Sequence, residues 1–223
     1  FGVMGAGIAT SIGSLIGAIM TCIYLLKGKH QLHFCSISFQ KSGFKLTQAI
    51  KRICTLGFPS FLGELALSFM MLVGNIVFIN YLGEDGVAAF SMACYFFPIL
   101  FMIDSAIAQS AQPIISFNYG INNYKRIFSA TRIAITSAVA CSIVLFVVTY
   151  FYSYNIASLF VDASTPAHAI ASARFPIYAL CFVPCAINIV AVMYFQSIER
   201  SRIALVITIM RGFLFLGLAY WFL

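Results

Sequence analysis

The chain has 223 residues, of which 62% are hydrophobic and 9% charged, with a formal net charge of +7. A soluble domain carries roughly 45–50% apolar and about 25% charged residues, so a soluble core of this composition and a separate soluble domain are both excluded. The net charge does not point to nucleic acid, because the bases fall between apolar runs in the manner that charge asymmetry across a bilayer produces.

At about 20 residues per crossing, the apolar runs predict six spans, at about 2–26, 53–80, 87–117, 128–151, 169–196 and 203–222. The first begins at Phe1 with no basic leader or cleavage site, and the chain is expected to be a piece of a longer protein that starts inside a helix. Gly13 and Gly17 within it form a GxxxG spacing that permits close helix approach. The polar segment 27–52 follows, with Phe39, Phe44, Leu46 and Ile50 interspersed among Lys41, Lys45 and Lys51. It reads either as an amphipathic piece at an anionic inner leaflet or as a solvated basic loop.

The second span carries the most informative pattern. Ser60, Glu64, Ser68, Met71 and Asn75 recur at spacings of four, four, three and four, which places them on one helical face. A carboxylate at mid-membrane costs about 2.5–3.5 kcal/mol on insertion scales. Such a stripe therefore lines a cavity or meets a neighbouring helix. Asp104, mid-way along the third span, is the second candidate, with Gln109 and Gln112 downstream as possible tethers. The third span also contains Pro98 and Pro113, and the fifth Pro176 and Pro184, each of which frees a backbone carbonyl one turn earlier and allows a bend. Tyr178, Asn188 and Gln196 share a polar face of the fifth span. Lys51, Arg52, Lys125, Arg126, Arg132, Arg200 and Arg202 lie in loops expected to be cytoplasmic, while Glu84, Asp85 and Asp162 lie in the alternate loops with Arg174.

Other chemistry is weakly represented. The seven cysteines show no paired loop spacing, and Cys181 and Cys185, at i and i+4, are read as packing residues without a histidine to complete a metal site. His30 and His33 form no zinc-protease pattern, and no phosphate-binding GxxxxGK[ST] loop occurs, which favours secondary over ATP-driven transport. No cofactor is expected.

Three segments together, Gly57 to Glu64, the run Gln112-Pro113-Ile114-Ile115-Ser116-Phe117-Asn118-Tyr119-Gly120, and Tyr194 to Arg200 ahead of Arg211, resemble the multidrug and toxic compound extrusion (MATE) family. The resemblance implies an all-α polytopic transmembrane bundle of twelve helices in two lobes. It makes residues 1–26 the last helix of the N-terminal lobe, 27–52 the cytoplasmic inter-lobe loop and 53–223 five of the six helices of the C-terminal lobe. Glu64 then takes the place of an acidic residue of helix seven that many relatives use for a coupling cation or substrate. The expectation is an antiporter of the plasma membrane, the bacterial inner membrane, that exchanges H⁺ or Na⁺ for small cationic organic molecules by alternating access. Glu64 and Asp104 are its expected cation-coupling residues, and Ser60, Phe61, Ser68, Met71, Asn75, Phe101, Tyr178 and Asn188 its substrate wall. Gln112, Pro113, Pro184, Gln196 and Arg211 are expected to gate or support, and the bilayer and a missing N-terminal lobe to be its partners. The alternatives are a flippase for lipid-linked oligosaccharides and a non-transporting membrane scaffold; a membrane enzyme is least favoured, since no nucleophile pairs with histidine at membrane depth.

Overall fold

A computed structural model of the chain describes residues 2–27 and 46–214, all helical apart from short connections. The expected amphipathic piece around Phe39 and Phe44, the two loop histidines and the end of the sixth expected span lie outside these residues. The chain divides into two compact units, Phe1–Leu46 and Thr47–Leu223.

The first unit holds α1 (Gly2–Lys27). Among its described side chains, Ile8, Ile12, Leu15, Ile16, Ile19, Met20, Ile23 and Leu26 are exposed. Ser11, Ser14 and Thr21 each donate their hydroxyl to the carbonyl four residues earlier, which is how a hydroxyl is satisfied within an apolar helix. Gly13 and Gly17 have open space beside them.

All but the first residue of α2 (Leu46–Gly120) belongs to the second unit; it is a helical stretch broken only at Gly83, where φ is 65° and ψ −155°. That conformation is essentially confined to glycine. The residue reverses the chain: the rings of Phe78 and Phe90 stack with centroids 4.7 Å apart, whereas twelve residues of unbroken helix would separate them by about 18 Å. The second and third expected spans are thus two arms, 46–82 and 84–120. The loop expected between them, around Glu84 and Asp85, is reduced to a single residue. The first arm begins at Leu46, so residues 46–52, expected to close a loop, are helical. The second arm is helical through both Pro98 and Pro113.

Next comes α3 (Tyr124–Phe160), whose first turn is capped by Asn123 Oδ1 accepting the Arg126 N–H at 3.3 Å. It is longer at both ends than the 128–151 expected and takes in Arg132. The fifth expected span is not one helix. It is α4 (Pro166–Ala179) and α5 (Phe182–Ser197), meeting at an angle of 47°. Pro184 has no N–H for the Leu180 carbonyl and its ring crowds that oxygen. The chain tightens there into bonds from Leu180 N–H to Ile177 O and from Cys181 N–H to Tyr178 O. The last described element is α6 (Ser201–Ile209), continued by a π-helical turn, Met210–Leu214.

Association of helices in lipid relies on close packing rather than on a hydrophobic drive, and the core reflects this. Ala108 and Ala111 of the second arm, Ala134 and Ala138 of α3 and Ala186 of α5 are buried together. Further toward the Gly83 end the space is filled by rings: Phe96 meets Phe175 edge-on at 5.1 Å and stacks on Phe182 at 5.9 Å.

Two contacts define one end of this unit. Arg52 pairs with Glu199, and Ser116 Oγ donates to Ser197 O at 3.4 Å. Lys51, Arg52, Lys125, Arg126, Arg200 and Arg202 therefore gather at the same end, with Gly83, Glu84, Asp85 and Asp162 at the other. The sign asymmetry read from the loops is a property of the folded bundle.

Candidate functional site

A cavity of about 400 Å³ opens between both arms of α2, α5 and the α6 region. The first arm contributes Pro59, Ser60, Gly63 and Glu64; the second contributes Phe101, Met102, Ser105 and Gln109. From α5 come Met193 and Gln196, and from the last elements Thr208 and Arg211. Glu64 stands near the middle of an arm whose 37 residues (46–82) extend over about 55 Å.

Small residues bring these elements together. A Cβ added at Gly63 would lie 3.6 Å from Arg211 Nη2 and 3.8 Å from Thr208 Cγ2. A Cβ at Gly212 would collide with the Ala66 methyl. The close approach is therefore at Gly212 against Ala66, whereas the Gly63 distances are ordinary van der Waals contacts that place the Arg211 guanidinium beside the turn that carries Glu64. A π-helical turn re-aims the side chains around it, and Arg211 lies within this one. Its charge and that of Glu64 share the cavity without an ion pair at 4.0 Å or less; among the described residues only Arg52 and Glu199 form one.

Gln196 ties α5 to the first arm. Its Nε2 donates to Ser60 Oγ at 2.8 Å and to the Leu56 carbonyl at 3.2 Å. Pro59, between those partners, cannot donate to the Thr55 carbonyl, which loosens the helix ladder where the glutamine docks.

Asp104 has a different setting. It has no exposed surface, and Ser142 Oγ of α3, itself fully buried, donates to Oδ1 and Oδ2 at 3.4 Å each. Phe101 and Ser105, on either side of it in the helix, line the cavity, but Asp104 does not.

Of the expected site residues, Ser60 and Phe101 of the wall, the coupling residue Glu64, and Gln196 and Arg211 of the gating or supporting set meet in this cavity. Phe61 is exposed and lies 6.1 Å from Phe58, centroid to centroid. Ser68 returns its hydroxyl to the Glu64 carbonyl at 3.1 Å. Met71 and Asn75 continue the stripe away from the cavity. Tyr178 belongs to the ring cluster, edge-on to Phe182, and Asn188 is half-buried with Oδ1 unpaired. Gln112 is half-buried, Pro113 lines a groove with Asn118, and Pro184 is exposed at the bend. Sequence reasoning missed Gly63, Met102, Ser105, Met193 and Thr208. The spacing of Met102, Ser105 and Gln109 by three and four marks one helical face and was the available signal.

Among known proteins, the MatE family model matches residues 59–221. No curated protein matches the sequence. Among solved structures, an outward-facing multidrug resistance MATE family transporter of the MOP superfamily superposes with a TM-score of 0.85 at 23% identity, over 99% of this chain and 49% of its own. A MOP superfamily transporter from Pyrococcus furiosus Vc1 (DSM3638), described as having a binding pocket of reverse polarity, gives 0.84 at 23% identity over 99% and 49%. A MATE protein in complex with MaL6 gives 0.81 at 22% over 100% and 49%. The chain thus spans about half the length of the solved structures it matches. The shared fold and the long apolar helices make it a multi-pass membrane protein.

Proposed function

The chain belongs to the MatE family, and on that premise we propose that it supplies one lobe, with a helix of the other, of a secondary exporter that exchanges H⁺ or Na⁺ for small cationic organic molecules across the plasma membrane, the bacterial inner membrane. The observation that carries this reading is Glu64: an exposed carboxylate at mid-helix, unpaired among the described residues, at the edge of a cavity that also presents hydroxyls, amides, thioethers and the Arg211 guanidinium. A charge is retained at that depth only where it has work to do or a partner. Coupling cation and organic cation compete for the one carboxylate, and the lobe rocks against its counterpart so that the site faces one side at a time. Gln196, joining α5 to the first arm beside Pro59, keeps that wall together as it moves. Half of the path belongs to a second lobe, in keeping with the half-length coverage of the relatives.

The test is efflux of ethidium or norfloxacin from cells expressing the complete protein with Glu64→Gln. Unchanged export removes Glu64 from the mechanism.

One observation favours a second reading. Arg211 lines the same cavity, and a lipid-linked sugar carries a phosphate that a guanidinium binds. If Arg211→Gln abolishes binding of a lipid diphosphate while Glu64→Gln does not affect it, the flippase reading replaces the antiporter.

A further inference from the structure

Away from the cavity, the second arm of α2 and α3 enclose a groove of about 750 Å³. At its mouth stand Lys125 and Arg126, beside Asn123. Neither base has a carboxylate within 4.0 Å among the described residues. One helical face then descends from them through Ser129, Ile133 and Ser137, opposite Ile107, Ala111 and Ile114 of the arm. From Lys125 to Ser137 is about 18 Å of helix. That is slightly more than one leaflet of a hydrocarbon core roughly 30 Å thick.

The arrangement is polar and cationic at the membrane surface and mainly apolar over one leaflet's depth. It lies at the end of the bundle where bases collect, the end that faces an anionic leaflet. Lys125 and Arg126 are exposed and unpaired among the described residues, and an anionic lipid offers a counter-charge attached to a chain that the lower groove accepts. We propose that this groove binds an anionic phospholipid of the cytoplasmic leaflet, its phosphate against Lys125 and Arg126 and one acyl chain between Ile114 and Ile133.

The test uses purified full-length protein in detergent micelles containing equimolar dioleoylphosphatidylglycerol and dioleoylphosphatidylcholine, re-isolated and assayed for retained lipid by mass spectrometry. Wild-type protein is expected to retain the anionic lipid in excess. Lys125→Gln and Arg126→Gln should each reduce that excess by about fivefold. Ile133→Trp, which fills the groove at an exposed position without changing charge, should reduce it as well and stands in if a charge variant does not fold. Arg202→Gln, at the same end but outside the groove, should leave it intact. The proposal is overturned if none of the groove variants lowers the excess, if Arg202→Gln lowers it equally, or if millimolar inorganic phosphate alone displaces the lipid. The readout contains no transport step, so the result stands apart from whether Glu64 couples an ion.

Discussion

Glu64 and Asp104 occupy similar heights on the two arms of one hairpin, yet their surroundings differ in every respect that matters to a carboxylate. Glu64 faces the cavity, exposed, with Arg211 in the same lining but not paired to it. Asp104 is closed between the second arm and α3 and receives the hydroxyl of Ser142. A group that must bind and release ions needs access and must not be permanently satisfied. A group that holds two helices together needs the reverse. On the proposed reading the two carboxylates would divide the work, by the neighbours they were given rather than by their own chemistry.

The largest expected effect tests that division directly. In the complete protein, Glu64→Gln should reduce export to the background of cells lacking the protein while leaving thermal unfolding in detergent close to wild type. Asp104→Ala should do the opposite first: it strands a buried Ser142 hydroxyl and should lower stability by about 1–3 kcal/mol. Asp104→Asn, which keeps an acceptor for Ser142, should cost less. If Asp104→Asn unfolds like wild type and loses export as completely as Glu64→Gln, the comparison breaks and both acids act in coupling.

Next in size is the small-residue contact that aims Arg211. Gly212→Leu must push against Ala66, and overpacking of this kind costs about 1–3 kcal/mol. Displacing the π-helical turn should impair export beyond that loss of stability, measured as activity per folded molecule. Gln196→Leu removes the donor to Ser60 and Leu56 and should cost about 0.5–1.5 kcal/mol in the same unfolding assay.

The smallest effect concerns a third acid, outside the spans. Asp162 Oδ1 accepts from both the N–H and the hydroxyl of Ser164, at 3.0 and 2.9 Å. These bonds hold its carboxyl below the ordinary value of 3.8. A depressed folded value adds stability above the ordinary range, and that stability is lost as pH falls through the folded value. Hydrogen exchange at Ser164 should therefore rise at pH below about 3.8 in the wild type, and should already be raised at neutral pH in Asp162→Asn.

Much of the fold was legible in residue order. An apolar run covered every described helix, with α4 and α5 read as one, and the bend between them sits where Pro184 deprives Leu180 of its donor. The turn around Gly83 was expected in the right place but too long, because Glu84 and Asp85 look like loop residues although helix geometry accepts both. The candidate site was legible in part. Periodicity located the stripe from Ser60 to Asn75, but the cavity takes only Ser60 and Glu64 from it. A helical face says which side chains point together and nothing about how far a neighbouring helix accompanies them. Ser105 and Thr208 went unnoticed for the same reason, since each becomes part of a site only when a different element arrives.

Residue order by itself determined that this chain lies in a bilayer, roughly where its apolar helices run and which end collects the bases, since all three follow from local hydropathy and charge. Tertiary structure decided which acid is covered and which is open, and it carried Arg211 to the backbone beside Glu64. These are matters of contact between elements far apart in the chain, and here they depend on where Ala66 and Gly212 allow two helices to touch.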